Sequence, residues 1–139
     1  MRLLGIDYGE KYIGIAVTDE LSIAAHPLTT VICDKTEFDR IKELIKKHEV
    51  NKIIIGLPKN MDGSSGKSVD RVLVFADELK KVMCDVPIEF IDERLTTREA
   101  EERLIGLGVS RKKKKSKINQ LSACIILESY MNRLKNLNL

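Results

Sequence analysis

The 139-residue sequence has no tryptophan, only three phenylalanines and three tyrosines, and only three prolines. It also lacks any apolar run near the roughly 18–20 residues of a membrane span, so we expect no membrane-spanning segment. Few aromatic side chains argue against a surface that stacks on unpaired bases. Hydrophobic residues make up 43% and charged residues 32% of the chain. This balance is typical of a folded globular domain and excludes a wholly disordered one.

Cysteine and histidine are scarce as well. The three cysteines, Cys33, Cys84 and Cys124, are odd in number and far apart, and no CxxC motif or Cys/His cluster occurs. The pattern excludes a disulfide framework and a zinc site, and we expect three buried free thiols in a reducing compartment. The first residues turn acidic at Asp7 where a secretory signal would stay apolar, so we expect a cytoplasmic protein.

Basic charge is concentrated in one segment of the chain. Residues 111–117 hold six of the 24 basic residues, and the remaining 18 face 21 acidic residues, so the body without this segment carries a net charge of −3. The pattern predicts a flexible basic loop at about residues 109–117. A solvated linker and a polyanion-binding loop are both compatible with it. The basic residues are Arg111, Lys112, Lys113, Lys114, Lys115 and Lys117.

The hydrophobic pattern predicts the order β-β-β-α-β-α-β-α-α in one domain over residues 1–139. Two short β-rich runs around a glycine turn predict a hairpin, and the continuous apolar run at 52–58 predicts a buried parallel strand. Thr36 with Asp39 three residues later predicts a helix start of the capping-box type. We therefore expect an α/β fold whose mixed five-stranded sheet, three antiparallel strands followed by two parallel ones, is flanked by helices. The predicted strands are 3–8, 12–18, 26–33, 52–58 and 88–92, and the last helix runs from about 117 to 137.

Acidic residues stand at the carboxyl ends of two predicted strands. Asp7 lies at the carboxyl end of the first strand, and Asp92 and Glu93 lie at the carboxyl end of the fifth. Ligands gather outside the carboxyl ends of strands in α/β sheets, and Mg²⁺ or Mn²⁺ takes a few carboxylates plus water. Side chains alternate along a strand, so only one of Asp92 and Glu93 need be a ligand. The alternatives are a turn aspartate at Asp7 and an ion pair or helix cap at Asp92–Arg94.

The loop between the fourth strand and the next helix combines glycines, hydroxyls and Lys59. Backbone amides near a helix start suit a phosphate group. The segment 56–68 does not have the Walker A spacing, which argues against a nucleotide triphosphatase. We therefore expect this loop to contact a phosphodiester backbone.

Four motifs together resemble one protein family. The segments Gly5–Lys11 and Ile13–Ala16 resemble a GxDxGxKRIGVA motif, Gly56–Pro58 with Met61–Ser64 a GLPxxxDG segment, Asp92–Thr97 a DERLTT signature, and Leu121–Ala123 with Ile125–Leu127 an AAxxIL pattern. These motifs follow each other in the right order over nearly the whole chain, so the sequence is similar to the YqgF/RuvX family, whose fold is ribonuclease-H-like.

The resemblance implies a metal-dependent nuclease that hydrolyses phosphodiester bonds in structured nucleic acid. The activity it implies first is 5′-end maturation of pre-16S rRNA in ribosome biogenesis, and the alternative is a Holliday-junction resolvase acting on branched DNA in recombination or repair. Asp7 and an acid of the Asp92–Glu93 pair would hold Mg²⁺ or Mn²⁺, which orients water and neutralises developing charge. The implied substrate-binding residues are Lys11, near the scissile phosphate, with Lys59, Arg94, Arg111, Lys112, Lys113, Lys114, Lys115 and Lys117.

Two positions depart from the family pattern. Tyr12 stands where the family commonly has arginine, and Asn119 stands where it usually has the last metal-binding aspartate. An amide oxygen can bind a cation but adds no charge, so a catalytically weak nucleic-acid-binding protein is a further interpretation. Asn119 begins a stripe that we expect to face the sheet. The sequence is also compatible with a homodimer. The other members of the stripe are Ala123, Leu127, Tyr130 and Leu134.

Overall fold

The computed structural model describes residues 1–58, 66–93, 96–106 and 111–137, with the backbone alone at 96–98, 101, 111–116 and 137. Within these segments, five strands and four helices follow one another in the predicted order. The strands are β1 (Leu3–Tyr8), β2 (Tyr12–Thr18), β3 (Ala25–Ile32), β4 (Lys52–Leu57) and β5 (Ile88–Asp92). The helices are α1 (Glu37–Lys47), α2 (Lys67–Val82), α3 (Thr96–Gly106) and α4 (Arg111–Leu137).

All five strands form one sheet in the order β3-β2-β1-β4-β5. The pairs β1–β2 and β2–β3 are antiparallel, and the pairs β1–β4 and β4–β5 are parallel. The predicted mixed sheet is therefore confirmed, with β4 and β5 parallel to β1. Because these three strands run the same way, their carboxyl ends meet at one edge of the sheet.

The sheet separates two apolar cores because side chains alternate between its faces. On β1, Leu4 and Ile6 pack into the core formed with α1 and α2, whereas Leu3 packs into the core formed with α4. The four residues Ile53–Gly56 of β4 are all buried, as expected for a strand covered on both faces. A residue's place in this alternation tells which helix layer it faces.

Helix α4 crosses the sheet closely because glycines lie beneath it. A Cβ on Gly5 would lie only 2.7 Å from the carbonyl oxygen of Ala123. At the far end of the helix, the Lys52 Nζ donates to the Tyr130 hydroxyl at 3.2 Å. The predicted sheet-facing stripe of α4 is confirmed, since Ala123, Leu127 and Tyr130 are buried. Asn119 and Leu134, at its two ends, are half-buried.

The start of α4 corrects the prediction of a loop over about 109–117, because the helix already begins at Arg111. Residues 109–110 lie outside the described part of the chain. Lysine and arginine have good helix propensity, and like charges four residues apart cost only about 0.2–0.5 kcal/mol a pair. Extension of a helix that is already anchored on the sheet overcomes that repulsion.

Two smaller expectations are also corrected. Helix α1 begins after Thr36 as predicted, but the Thr36 side chain makes no capping bond to the helix; its hydroxyl donates to the Asp34 carboxylate instead. Of the cysteines, Cys124 is buried and Cys33 half-buried, whereas Cys84 is exposed, because it lies in the turn just after α2. Among the described helices, none is long and apolar enough to cross a membrane.

Candidate active site

Asp7 lies near the carboxyl end of β1 and faces α4. It follows Leu3 and Gly5 in the strand alternation, and both of these contact the α4 layer. Its antiparallel partner on β2 is Gly14. Burial raises the pKa of the Asp7 carboxyl from 3.8 to about 7, because an ionised carboxylate loses hydration there. A carboxylate desolvated in this way has affinity for a cation.

Glu93 shares this face with Asp7, and Asp92 does not. Ile91 packs in the α4 core, whereas Phe90 packs against the core of α1 and α2. By alternation the exposed Asp92 lies on the Phe90 side. Glu93 prolongs the β5 ladder, since its N–H donates to the Leu57 carbonyl at 3.1 Å. The structure therefore brings Glu93 to the face of Asp7 and leaves Asp92 on the other.

The Glu93 carboxyl lies directly over Gly56 of β4, in the space that a Cβ on Gly56 would fill. Gly56 is level with Asp7, because each follows the paired residues Ile6 and Ile55 by one position. Neighbouring strands are about 4.8 Å apart, so the Glu93 carboxyl lies about one strand spacing from the Asp7 position. This separation is within reach of a shared cation.

Asn119 contacts the same part of the sheet from α4. A Cβ on Gly14 would overlap the Asn119 carbonyl oxygen and carbon, so this turn of α4 rests on the strand neighbour of Asp7. The next residue, Gln120, donates from its Nε2 to the Thr30 hydroxyl at 3.0 Å. That bond fastens the turn to β3. Asn119 is thus held at the level of Asp7, as its place in the stripe predicted.

Ser122 is a buried polar residue on this part of α4 that sequence reasoning did not single out. Its side chain is 1% exposed, and its Oγ has no hydrogen-bond partner among the described residues. It lies one turn after Asn119 on the same side of α4. A serine inside an apolar helix stripe is a signal that the sequence contained, but a small polar residue in a helix is usually only tolerated there.

The donor set fits a divalent cation of the magnesium type. Across the described segments, no group of three or more His, Cys, Asp or Glu side chains could hold a metal ion. The edge offers two carboxylates, Asp7 and Glu93, with Asn119 as a neutral oxygen donor. Mg²⁺ commonly binds through one or two carboxylates and keeps several waters. The desolvated Asp7 carboxylate is the observation that favours a cation here.

Two exposed lysines, Lys11 and Lys117, lie near the same edge of the sheet. Lys11 is exposed in the turn between β1 and β2, just beyond Asp7. Lys117 is exposed on α4 two residues before Asn119. The backbone of Arg111–Lys115 forms the first turns of that helix, which at 1.5 Å per residue extend it about 12 Å beyond Asn119. Lys59 and Arg94, the other two predicted phosphate contacts, lie outside the described residues.

Comparison with known proteins identifies the family. A family model described as "RuvX: Holliday junction resolvase" matches residues 1–133. The chain belongs to the RuvX family. A relative from Natranaerobius thermophilus is 44% identical over 140 residues, which cover 99% of each chain. One from Halalkalibacterium halodurans is 49% identical over 139 residues, which cover 96% of this chain and 97% of that protein. Both carry the name "Putative pre-16S rRNA nuclease".

Solved structures show the same fold as this RuvX family member. The RuvC protein of T. thermophilus, in complex with a Holliday junction substrate, aligns with a TM-score of 0.55 at 16% identity over 96% of both chains. The Fowlpox virus resolvase, in complex with Holliday junction DNA, aligns with a TM-score of 0.58 at 14% identity over 96% of this chain and 99% of that one. The predicted ribonuclease-H-like fold is confirmed. Resolvases and nucleases of this fold generally depend on a divalent metal.

Proposed function

We propose that this RuvX family member is a metal-dependent endonuclease that hydrolyses phosphodiester bonds at the edge formed by Asp7, Glu93 and Asn119. The observation that carries the proposal is the meeting of two carboxylates from separate strands over glycines, in a desolvated place. The Asp7 carboxylate is costly to keep ionised in a desolvated place, and a bound cation would offset that cost. In this proposal Asp92, on the opposite face, is not a ligand.

Each residue has a distinct task in the proposed reaction. Asp7 and Glu93 would hold Mg²⁺ or Mn²⁺, with Asn119, at the same level of the sheet, as a neutral oxygen ligand. A cation bound there would supply activation of the attacking water and neutralisation of the charge that develops on the phosphate. Lys11 and the basic start of α4 hold the flanking phosphates. These lysines fix the strand so that the scissile bond lies over the two carboxylates.

The substrate that we infer is pre-16S rRNA, which the relatives' names give, and within it we propose cleavage at the 5′ end. The basic turns of α4 bind phosphate groups without reading base identity, which suits recognition of a structured RNA by its shape. The family description favours a second candidate, cleavage of a Holliday junction. We also propose a cytoplasmic location, since reduced cysteines are the rule there.

The test is cleavage of a 5′-extended 16S precursor fragment, a four-way DNA junction and plain duplexes, each with Mg²⁺ or with chelator. Glu93→Gln and Asp92→Asn form a matched pair, because each removes one negative charge from neighbouring positions. We expect Glu93→Gln to lower the rate about 100-fold or more and Asp92→Asn to stay within about twofold of the parent, less than 1 kcal/mol of barrier.

The result expected is Mg²⁺-dependent cleavage of the precursor fragment. Cleavage of the junction alone would favour the resolvase candidate. Binding of nucleic acid without cleavage at any metal concentration would overturn the proposal and identify a binding protein. Loss of activity in Asp92→Asn but not in Glu93→Gln would place the catalytic carboxylate on the opposite face of the sheet.

A further inference from the structure

Ser122 is a buried polar residue whose role the fold alone does not explain. Its side chain is 1% exposed, and its Oγ makes no hydrogen bond to the described residues. A buried hydroxyl without a partner costs free energy, and an alanine would fill nearly the same space at no such cost. A serine at this position is therefore a reason to look for a ligand.

The position of Ser122 is set by two neighbours on α4. Asn119, three residues earlier, rests on Gly14 of β2, and Ile126, four residues later, reaches Gly56 of β4, where its Cδ1 would lie 2.7 Å from an added Cβ. Residues three and four apart lie on one side of a helix. Ser122 thus lies between the contacts to β2 and β4.

The strand between β2 and β4 is β1, and its residue at the level of Gly14 and Gly56 is Asp7. The turn of α4 that carries Ser122 therefore covers Asp7, with the Glu93 carboxyl beside it over Gly56. Asp7 on β1, Glu93 just after β5 and Ser122 on α4 thus lie at one level of the sheet, on the face that α4 covers.

We propose that Ser122 is a positioning residue of the cation site, whose hydroxyl hydrogen-bonds a water on the cation held by Asp7 and Glu93. The inference rests on the proposed function, because it needs a cation at those carboxylates. Mg²⁺ and Mn²⁺ sites of this kind keep several waters, and a hydroxyl can both donate to and accept from them. Residues that orient a metal's ligands in this indirect way typically change metal affinity about 10–100-fold.

The test measures Mn²⁺ binding by the full chain, by titration calorimetry and by water-proton relaxation, which reports on waters bound to Mn²⁺. We expect Ser122→Ala to weaken Mn²⁺ binding about tenfold and to alter the relaxation of the bound water. Its melting temperature without metal should be unchanged or higher, because the unpartnered hydroxyl is gone. Cys124→Ala is the control, because it shortens another buried side chain of α4. The Cys124 thiol lies close to Glu128 and Arg103, so its removal should leave Mn²⁺ binding unchanged.

The outcomes separate this inference from the proposed function. If Mn²⁺ binds the parent chain, is lost in Asp7→Asn and is unchanged in Ser122→Ala, the role of Ser122 is overturned and the cation site stands. If Mn²⁺ does not bind the parent, or binds Asp7→Asn equally well, both ideas are overturned. Equal weakening in Ser122→Ala and Cys124→Ala would mean that α4 packing alone is responsible, and would also overturn it.

Discussion

Gly14 and Gly56 flank Asp7 on the two strands next to β1, and neither leaves room for a Cβ. At Gly14 the added atom would overlap backbone atoms of Asn119, which move only if α4 moves. At Gly56 it would meet the Glu93 carboxyl and Ile126 Cδ1, which are ends of flexible side chains. Gly14 therefore sets how closely α4 approaches the sheet, and Gly56 makes room for a carboxylate.

The two glycines should respond differently to the same substitution. We expect Gly14→Ala to lower the free energy of unfolding by about 3 kcal/mol, at the upper end of the usual cost of overpacking, because backbone must shift. Gly56→Ala should cost about 1 kcal/mol but weaken Mn²⁺ binding, because it displaces the Glu93 carboxyl. Urea unfolding and Mn²⁺ titration of both variants measure the two effects. Unchanged Mn²⁺ affinity in Gly56→Ala would contradict this account of the site.

Asn119 is a neutral residue placed at the level of the Asp7 carboxylate. We expect Asn119→Asp to tighten Mg²⁺ or Mn²⁺ binding by about tenfold or more, because a third carboxylate adds direct attraction to the cation. The cleavage rate should rise with it, and the metal-free protein should become slightly less stable from like-charge repulsion. Calorimetric titration and initial rates check this, with Asn119→Ala as the variant that loses the oxygen. If Asn119→Asp changes neither quantity, Asn119 is a structural residue.

At the scale of elements, the sequence was sufficient to predict the strands of the sheet but insufficient to predict some of the helix ends. The strands β1, β2 and β4 follow from local patterns, namely alternation in β1 and β2 and a continuous apolar run in β4. Their bounds were predicted within a residue or so. The predicted capping bond of Thr36 was wrong because Asp34, two residues earlier, accepts the hydrogen bond of the Thr36 hydroxyl instead. Such competition depends on loop geometry, which short-range pattern does not contain.

The choice between Asp92 and Glu93 shows why the site was only partly predictable. Both residues are acidic and adjacent, and the sequence showed that their side chains must alternate. It did not show which face α4 covers, because that depends on contacts between residues far apart, such as Ile126 and Gly56. Ser122 was missed for the same reason, since its burial follows from the path of α4 over β1.

Because the basic turns of α4 are helical, substitutions that test them should preserve the helix. We expect replacement of Lys112–Lys115 by glutamine, which keeps good helix propensity, to flatten the dependence of nucleic-acid affinity on salt. The slope of log affinity against log salt should fall by about 0.7–0.9 for each phosphate group that the variant no longer binds. Fluorescence anisotropy at several salt concentrations measures it, and circular dichroism checks that α4 persists. An unaltered slope would place the phosphate-binding residues on another surface.

At the scale of the whole molecule, the site lies where the α4 core ends at the sheet edge. The core of α1 and α2 on the other face contains no proposed ligand, and the α4 core supplies Asn119 and Ser122. Arg103 on α3 fastens this layer further, because it donates to both carboxylate oxygens of Glu128, at 3.2 and 2.9 Å. Binding of a cation at the site should therefore stabilise the packing of α4 on the sheet, and with that packing the whole fold.

The raised pKa of Asp7 predicts how stability depends on pH when metal is absent. With a folded pKa of about 7 against 3.8 for an ordinary aspartate carboxyl, the folded state retains a proton that the unfolded state has lost. Stability should therefore fall as pH rises from about 4 to about 7, by at most about 4 kcal/mol, and stay low above that range.

Urea unfolding in chelator between pH 5 and 8 measures this fall in stability. The Asp7→Asn variant should lose most of the fall, whereas Asp92→Asn should keep it. Mg²⁺ added at pH 8 should restore the stability of the parent chain, since it binds the folded state alone, but not that of Asp7→Asn. Parallel pH profiles for the parent and Asp7→Asn would show that ionisation of the Asp7 carboxyl does not destabilise the folded state. That result would remove the physical reason for a cation at this edge.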